Sequence, residues 1–150
     1  MTCIAFDGQI MAADSMATND DNMNLGRFEK IYVKNGMIIG MSGTCNEVAE
    51  FVDDIRFHKN GFRLARNSGF ENINALVVHS GQCWKYDGGT MGYKVSSPIS
   101  IGCGRQYAMA AMHLGKNAPQ AVRVAIALDC KCGGPVDWVD TADCRIIYGA

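Results

Sequence analysis

Apolar residues in the first half of the chain run in short stretches on either side of two-residue turn signals. Three such patterns centre on Asp7-Gly8, Asn35-Gly36 and Ser80-Gly81. Asn-Gly and Asp-Gly pairs favour the tight turns that join antiparallel strands. The pattern therefore predicts three β-hairpins, with a polar loop from Met16 to Arg27 after the first of them.

Helical periodicity begins after Thr44. A capping-box pattern of Thr44 with Glu47 precedes apolar residues that recur every three or four positions. A second helix is predicted from Arg105 to Lys116, and a third begins after Asn117, a residue suited to capping it. Strands grouped apart from helices in this way are typical of antiparallel sheets with helices outside.

Several of the predicted strands are apolar on both faces, which fits a sheet that packs against another sheet on one side and helices on the other. Short closing strands are predicted at 136–139 and 144–148. The pattern as a whole predicts an α+β fold: a four-layer α/β/β/α sandwich around two antiparallel sheets. At this length we expect residues 1–150 to form a single domain.

The predicted turns also fix which residues meet at the open ends of the hairpins. A two-residue loop at Asp7-Gly8 pairs Thr2 with Ala13 and leaves Asp14 one residue beyond. The loop at Asn35-Gly36 carries Lys30 to the open end of the second hairpin, with the Gly43 backbone just past it. If the hairpins are neighbours, a hydroxyl, a carboxylate, an ammonium and free N–H groups converge.

Charge and cysteine content narrow the class of protein. The formal net charge is −1, from 14 Lys+Arg and 15 Asp+Glu, which argues against a nucleic-acid or membrane-surface partner. No apolar run approaches the ~20 residues that span a bilayer, and the N-terminus lacks the features of a signal peptide. Seven cysteines, an odd number, fit free thiols in a reducing compartment. We expect a cytoplasmic protein, or one assembled in the cytosol into a larger particle.

Five short motifs occur in one order along the chain: A-A-D-S ending at Ser15, K-I at Lys30, M-S-G ending at Gly43, G-x-G at 102–104 and D-x-x-x-G-G at 129–134. Each is weak alone, and the order makes them specific. With the segments around them, which cover roughly half the chain, they resemble the proteasome β-subunit family. That family includes the HslV-type bacterial peptidases and lies within the N-terminal nucleophile hydrolases.

The resemblance implies a threonine peptidase. Met1 would be removed, and the Thr2 hydroxyl would attack a peptide carbonyl with its own α-amine as general base. Lys30 would favour the ionised hydroxyl and the free-base amine, Asp14 would orient Lys30, and the Gly43 N–H would stabilise the oxyanion. On this interpretation Lys30→Ala abolishes activity and leaves the fold nearly intact. The chemistry needs no metal or cofactor.

Other positions carry the resemblance further or depart from it. Asp129 matches the family's supporting acid near the nucleophile. Cys103 and Cys132 stand where the family usually has serines that hydrogen-bond near the threonine amine, and a thiol is a weaker donor and acceptor. The segment from Gly61 to Asn74 is too short for the family's second long helix, so the outer helical layer is reduced.

The resemblance also implies partners. Polypeptides are the expected substrates, and a homo-oligomeric ring or shell is the expected assembly, with the Ala- and Met-rich helix pair as an apolar contact surface. The family's outer helical layer meets partner rings or an unfoldase. An ATPase unfoldase is therefore a possible partner, but the reduced outer helical layer argues against it.

The cysteines raise two further hypotheses. Cys103, Cys130 and Cys132 could gather thiolates around zinc, which favours four ligands. Neither C-x-x-C pairs nor a nearby spaced His pair occurs, so we expect no metal. A Cys103–Cys132 disulfide is compatible with the resemblance but not expected.

The function classes left open differ in chemistry. The first is a threonine peptidase subunit of a self-compartmentalising ring, favoured by the joint presence of Thr2, Asp14, Lys30, Gly43 and Asp129. The second is a catalytically inactive relative with a structural role in a larger particle, favoured by the two cysteines, the reduced outer layer and a retained Met1. A third is an N-terminal nucleophile amidase that acts on small amides. Fold alone does not choose among them.

Overall fold

The computed structural model describes residues 2–18, 23–59 and 61–150. Its helices are α1 (Cys45–Asp54), α2 (Arg105–His113) and α3 (Ala118–Leu128). Its strands are, in chain order, β1 (Cys3–Phe6), β2 (Ile10–Ala13), β3 (Met16–Thr18), β4 (Asn24–Arg27), β5 (Ile31–Lys34), β6 (Met37–Ser42), β7 (Ile55–His58), β8 (Gly61–Leu64), β9 (Asn74–His79), β10 (Gln82–Tyr86), β11 (Tyr93–Val95), β12 (Ile99–Gly102), β13 (Asp137–Asp140) and β14 (Ile146–Ile147). Within this part of the chain, every helix falls short of the length and apolarity that a membrane span requires.

Two five-stranded sheets organise the molecule. Sheet I has the strand order β12-β1-β2-β13-β14, and sheet II has the order β11-β10-β9-β6-β5. Neighbouring strands in both sheets are antiparallel, as the hairpin patterns predict. Two small hairpins, β3–β4 and β7–β8, lie outside these sheets.

The sheets face each other across an apolar core. Ile4 and Met11 of sheet I belong to the same buried cluster as Ile38, Leu76 and Val78 of sheet II. β6 comes so close to sheet I that a Cβ on Gly40 would lie 2.7 Å from the Ile4 side chain. Alternate residues of each strand point into this core, and the residues between them point outward.

The outward faces are covered differently on the two sheets. On sheet I, small side chains of α2 and α3 pack on Cys3, Ala5 and Ala12 in one cluster, so the helices lie close to the strands. On sheet II, α1 and the β7–β8 hairpin bury Phe51 and Phe62 against Tyr86 in another cluster. The described residues 61–74 contain no helix, in keeping with the shortness of that segment.

The second hairpin has the predicted register. The φ angles of the Asn35-Gly36 turn are 50° and 78°, both in the left-handed region that this turn requires. Lys34 pairs with Met37, and the Met41 N–H donates to the Lys30 carbonyl at 2.9 Å. Lys30 therefore lies at the open end of the hairpin, as predicted. The turn at Ser80-Gly81 is confirmed in the same way, since its flanking strands pair across it.

The register predicted for the first hairpin is wrong by two residues. Phe6 pairs with Met11 instead of Gln9. The cause is the Asp7 side chain, which accepts the N–H groups of Gln9 and Ile10 at 2.9 and 2.7 Å and so builds a wider loop. Its other oxygen accepts the first N–H of α3 at 2.8 Å. A shift of two residues keeps every side chain on its predicted face.

Some local predictions fail for identifiable reasons. Thr44 precedes α1 without making a side-chain cap hydrogen bond, and the Glu47 side chain accepts from Asn72 at 3.4 Å, so the predicted capping box does not form. Ile55, the last residue of the apolar repeat that predicts this helix, begins β7 instead. The segment from Met16 to Arg27, predicted as a loop, forms β3 and β4 where the structure describes it.

The helix that follows Asn117 starts as predicted. The Asn117 side chain accepts the Gln120 N–H at 2.9 Å, and the Gln120 side chain accepts the Asn117 N–H at 3.0 Å. This reciprocal capping box satisfies two N–H groups that a helix start leaves free. The closing strands are shorter or shifted, at 137–140 and 146–147.

Candidate active site

The carboxylate of Asp14 lies at the centre of a buried polar cluster. It is fully buried, and it follows β2 at the open end of the first hairpin. Oδ1 accepts the Cys3 N–H and the Lys30 ammonium, both at 2.9 Å, and Oδ2 accepts the Gly133 N–H at 3.1 Å. Three donors on one carboxylate supply the hydrogen bonds that a buried charge needs.

The predicted ion pair between Lys30 and Asp14 is therefore present. Lys30 is 4% exposed and reaches across from sheet II, while Asp14 belongs to the end of sheet I. The corrected hairpin register explains how Asp14 reaches it. The Asp14 N–H donates to the Cys3 carbonyl at 3.1 Å, so Asp14 sits opposite Cys3 and beside the start of β1.

Thr2 lies directly before this cluster and is 4% exposed. Its carbonyl accepts the Gly104 N–H at 3.3 Å and the Cys103 thiol at 3.4 Å. A Cβ on Gly102 would lie 2.1 Å from the same carbonyl oxygen, so only glycine allows this approach. Since one Asp14 oxygen binds both the Cys3 N–H and Lys30, the ammonium lies within two hydrogen-bond lengths of the amide that follows Thr2.

A second group of polar side chains lies next to Thr2 and consists of Cys103, Cys132 and Asp129. The two sulfurs are 3.6 Å apart, and all cysteines of the chain are free thiols. One ligand atom from each residue lies within 4.8 Å of the others. Burial, followed by the charge of Asp14, raises the pKa of the Cys132 thiol. That thiol is therefore neutral at physiological pH.

The thiol of Cys3 is not a competing nucleophile. It points to the outer face of sheet I and is fully buried in the cluster beneath α2 and α3. Burial raises the pKa of this thiol to about 12 and outweighs a weak contact with the Ser100 hydroxyl at 4.0 Å, which lowers it. Since the thiolate is the reactive form, Cys3 is inert at neutral pH.

Gly43 lies at the end of β6, before α1, and is exposed. A Cβ there would lie 2.4 Å from the Asn72 carbonyl, so the position requires glycine. Among the described residues, no hydrogen bond joins Gly43 to Thr2. A cleft of about 470 Å³ lies between their neighbours: its wall contains Ser42, which precedes Gly43 in the chain, and Gly102 and Cys103, which approach the Thr2 carbonyl.

Some residues at this site were not singled out as such from the sequence. Gly104 and Gly133 each donate a backbone N–H, to Thr2 and Asp14 respectively. The G-x-G motif contains Gly104 and the G-G motif contains Gly133, so these motifs could have indicated both residues. Lys85 and Arg105 also line the cleft. The sequence around each does not indicate this, because Lys85 belongs to β10 and Arg105 to α2, and only folding brings both side chains to one cleft.

The predicted removal of Met1 falls on a residue outside the described parts of the chain. The predicted roles of Thr2, Asp14, Lys30, Gly43 and Asp129 concern chemistry, and they stay predictions. The structure brings together Thr2, Asp14, Lys30, Cys103, Cys132 and Asp129. Gly43 is not among the residues that line the adjoining cleft, although Ser42, which precedes it, is.

Solved structures share this fold across the whole chain. Thiobacillus denitrificans BPH has a TM-score of 0.71 and 14% identity, over 100% of this chain and 99% of its own. The same protein in complex with epoxomicin has a TM-score of 0.69 and 14% identity, over 100% of both chains. Eukaryotic HslV from Trypanosoma brucei has a TM-score of 0.66 and 15% identity, over 92% of this chain and 97% of its own. No protein-family model and no curated protein matches the sequence. The predicted HslV-type fold is thereby confirmed.

Proposed function

We propose that this chain, which has the fold of HslV, is a threonine-type peptidase subunit of a proteasome-like ring. In this proposal it is one N-terminal nucleophile domain of four layers, α/β/β/α. The observation that carries the proposal is the shared Asp14 oxygen, which binds both the amide following Thr2 and the Lys30 ammonium. A buried lysine held beside the second residue of a chain has no role in packing that an apolar side chain would not fill better.

The chemistry begins with removal of Met1, which exposes the α-amine of Thr2. The reference pKa of an α-amine is about 8, so a free-base α-amine can take the hydroxyl proton at working pH. The Thr2 oxygen attacks the peptide carbonyl, and an acyl ester forms as the amine of the leaving peptide departs. Water then hydrolyses the ester and regenerates Thr2.

The buried ion pair prepares this step. The Lys30 ammonium favours the ionised form of a nearby hydroxyl and disfavours a second positive charge on the amine. Asp14 keeps the ammonium in place, and its two backbone donors keep Asp14 in place. Such preorganised charge stabilises a transition state without reorganisation. In the proposal the N–H of Gly43, which follows the cleft residue Ser42, donates to the oxyanion.

The cleft beside Thr2 indicates the substrate class. Its charged lining residues are Lys85 and Arg105, both cations. A peptide whose side chain enters this cleft gains most if that side chain is acidic. We therefore propose polypeptides with acidic residues near the cleaved bond as preferred substrates.

The specificity can be tested with Arg105→Glu. We expect the ratio of kcat/KM for acidic over basic fluorogenic peptides to fall by roughly fivefold or more, the effect of one exposed ion pair of about 1 kcal/mol. Arg63→Glu, which changes an exposed arginine of β8 outside the cleft, is the matched control and leaves the ratio unchanged. An unchanged ratio in Arg105→Glu would refute the acidic preference. Absence of hydrolysis of every peptide by the full-length protein would refute the peptidase.

The α2–α3 pair is the proposed contact between copies of the chain. Leu114 is 81% exposed and Leu128 62% exposed, and both line one apolar groove with Tyr107 and Val124. Exposed apolar surface of this kind marks an interaction site. A second copy is the occupant that a ring or shell requires.

Light scattering tests the assembly. The double variant Leu114→Glu/Leu128→Glu is expected to shift the mass from oligomer toward monomer, because the charges cannot be buried in an apolar contact. Leu25→Glu is a control at the same exposure as Leu128, since Leu25 is also 62% exposed. A wild-type monomer, or an oligomer that survives the double variant, would contradict this interface.

A second candidate function is a non-catalytic shell protein with the same fold. Cys103 and Cys132 favour it, because the Cys103 sulfur contacts the Thr2 carbonyl, the Cys132 sulfur lies 3.6 Å from that of Cys103, and thiols are poorer hydrogen-bond partners than hydroxyls. The free state of all seven cysteines fits the cytoplasm, where we place either form of the protein. An unfoldase partner belongs only to the first function and is not part of this proposal.

A further inference from the structure

Three side chains that can bind a metal lie together beside Thr2, and the proposed peptidase reaction does not require a metal there. They are Cys103, Cys132 and Asp129. Two thiol sulfurs and a carboxylate oxygen lie within 4.8 Å of one another. We infer that this group is a zinc site, in which Cys103, Cys132 and Asp129 bind one Zn²⁺ and leave a fourth position for water. The sequence-based expectation of no metal is thereby replaced, and the third ligand is Asp129 rather than Cys130. Three protein ligands with one open position is a known arrangement for zinc.

The spacing of the sulfurs is that of a metal site. With Zn–S bonds of about 2.3 Å in a tetrahedron, two sulfurs lie about 3.8 Å apart. The observed separation of Cys103 Sγ and Cys132 Sγ is 3.6 Å. A disulfide needs about 2.0 Å, so the pair would have to close by more than 1 Å to form one. The two sulfurs are already placed to share an ion.

Tight backbone turns hold the three ligands in position. The Cys132 N–H donates to the Asp129 carbonyl at 3.1 Å, which folds these two residues into one turn after α3. Cys103 lies between Gly102 and Gly104 at the start of α2. A Cβ on Gly104 would lie 2.9 Å from Cys132 Sγ, so glycine leaves room for the sulfur. A rigid ligand set loses little conformational entropy when the metal binds.

The donor set selects the kind of metal. Thiolate ligands favour zinc over magnesium and calcium, which prefer oxygen. Cys132 is buried, while Cys103 and Asp129 are half-buried, so an ion has a route to the site. As each Zn–S bond forms, the thiol releases its proton to solvent, and no electron is transferred.

A bound zinc changes the surroundings of Thr2. The Cys103 thiol donates a hydrogen bond to the Thr2 carbonyl at 3.4 Å, and a zinc-bound thiolate has no proton to donate. The two released protons balance the charge of Zn²⁺, so the net charge of the site is unchanged, but the ion would bring a water molecule beside the nucleophile. Inhibition of peptide hydrolysis by zinc therefore follows, and this consequence rests on the proposed function, whereas binding of the metal does not.

Cobalt titration of the full-length protein, reduced with a phosphine, tests the site without any need for activity. We expect one equivalent of Co²⁺ to produce thiolate-to-cobalt charge-transfer absorption that Zn²⁺ abolishes, and native mass spectrometry to count one zinc per chain. Cys103→Ser and Cys132→Ser are each expected to weaken zinc binding at least a hundredfold, since they remove a ligand rather than an outer-shell partner. Cys45→Ser, which changes an exposed cysteine of α1, keeps wild-type binding.

Wild-type protein that shows neither the charge-transfer band nor a bound zinc would overturn the inference. Two other results would also overturn it. One is an equal loss of zinc binding in Cys45→Ser, and the other is a charge-transfer band that persists in both Cys103→Ser and Cys132→Ser while circular dichroism shows that these variants keep the helix content of the wild type. Peptide hydrolysis is measured in parallel. A cobalt band without hydrolysis supports the zinc site and refutes the proposed function. Hydrolysis that zinc does not inhibit, without a cobalt band, refutes the zinc site and supports the proposed function.

Discussion

Replacing Thr2 with alanine is expected to reduce peptide hydrolysis to background, a loss of roughly 10⁶ in kcat, because removal of a protease nucleophile acts on this scale. Alanine lacks the hydroxyl that forms the acyl ester and is still small enough for Met1 to be removed. Thr2 is buried directly before β1, and the loss of its hydroxyl and methyl groups leaves the backbone hydrogen bond of its carbonyl in place. Hydrolysis of a fluorogenic peptide by purified variant and wild type gives the comparison.

The matched control for this prediction is Thr2→Ser, which keeps the hydroxyl and removes only a methyl group. We expect it to retain measurable hydrolysis and labelling by an epoxyketone. Thermal melting of both variants checks that the fold is unchanged. Hydrolysis in Thr2→Ala at more than a hundredth of the wild-type rate would show that another group is the nucleophile.

Replacing Lys30 with methionine is expected to affect both activity and stability. Hydrolysis falls to background, because the cation that favours the ionised hydroxyl is gone. The free energy of unfolding falls by about 3–5 kcal/mol, because the fully buried Asp14 carboxylate loses its counter-ion. The stability change is measured by urea denaturation at a fixed protein concentration. The sequence-based expectation of a nearly intact fold is revised by this burial.

The double variant Asp14→Asn/Lys30→Met separates structure from chemistry. It removes the buried charge, so we expect it to recover roughly half of the stability lost in Lys30→Met. Full recovery is not expected, because the amide nitrogen of the introduced asparagine would face one of the two backbone donors whose hydrogen bonds Asp14 now accepts. Activity stays at background in the double variant. Restored hydrolysis would mean that Lys30 acts only by holding the fold.

The contrast between the first two hairpins explains how far the sequence could predict this site. Asn35-Gly36 acts through its own backbone angles, which are local, and so the position of Lys30 could be predicted. Asp7 acts through hydrogen bonds to Gln9, Ile10 and the start of α3, and the last of these partners is distant in sequence. The pairing of Asp14 with Cys3 could therefore not be deduced from a turn rule.

The sequence also does not show which charged side chains are buried in the folded protein. Lys30 has the sequence signature of a solvated strand end, and only the packing of sheet I on sheet II makes it 4% exposed. The cleft cations Lys85 and Arg105 meet for the same reason, since they come from β10 and α2. Motif order, by contrast, predicted the HslV-type fold, because it samples both sheets and both helices of the α2–α3 pair.

The mass of the intact wild-type protein before and after treatment with an epoxyketone tests the central claim most directly. The two electrophilic carbons of the probe can capture the amine and the hydroxyl of one residue. A peptidase that uses the Thr2 amine as base and the Thr2 hydroxyl as nucleophile predicts a chain that lacks Met1 and gains one probe, with the adduct on Thr2. A chain that keeps Met1 and gains no probe would contradict it and would leave the shell protein as the function.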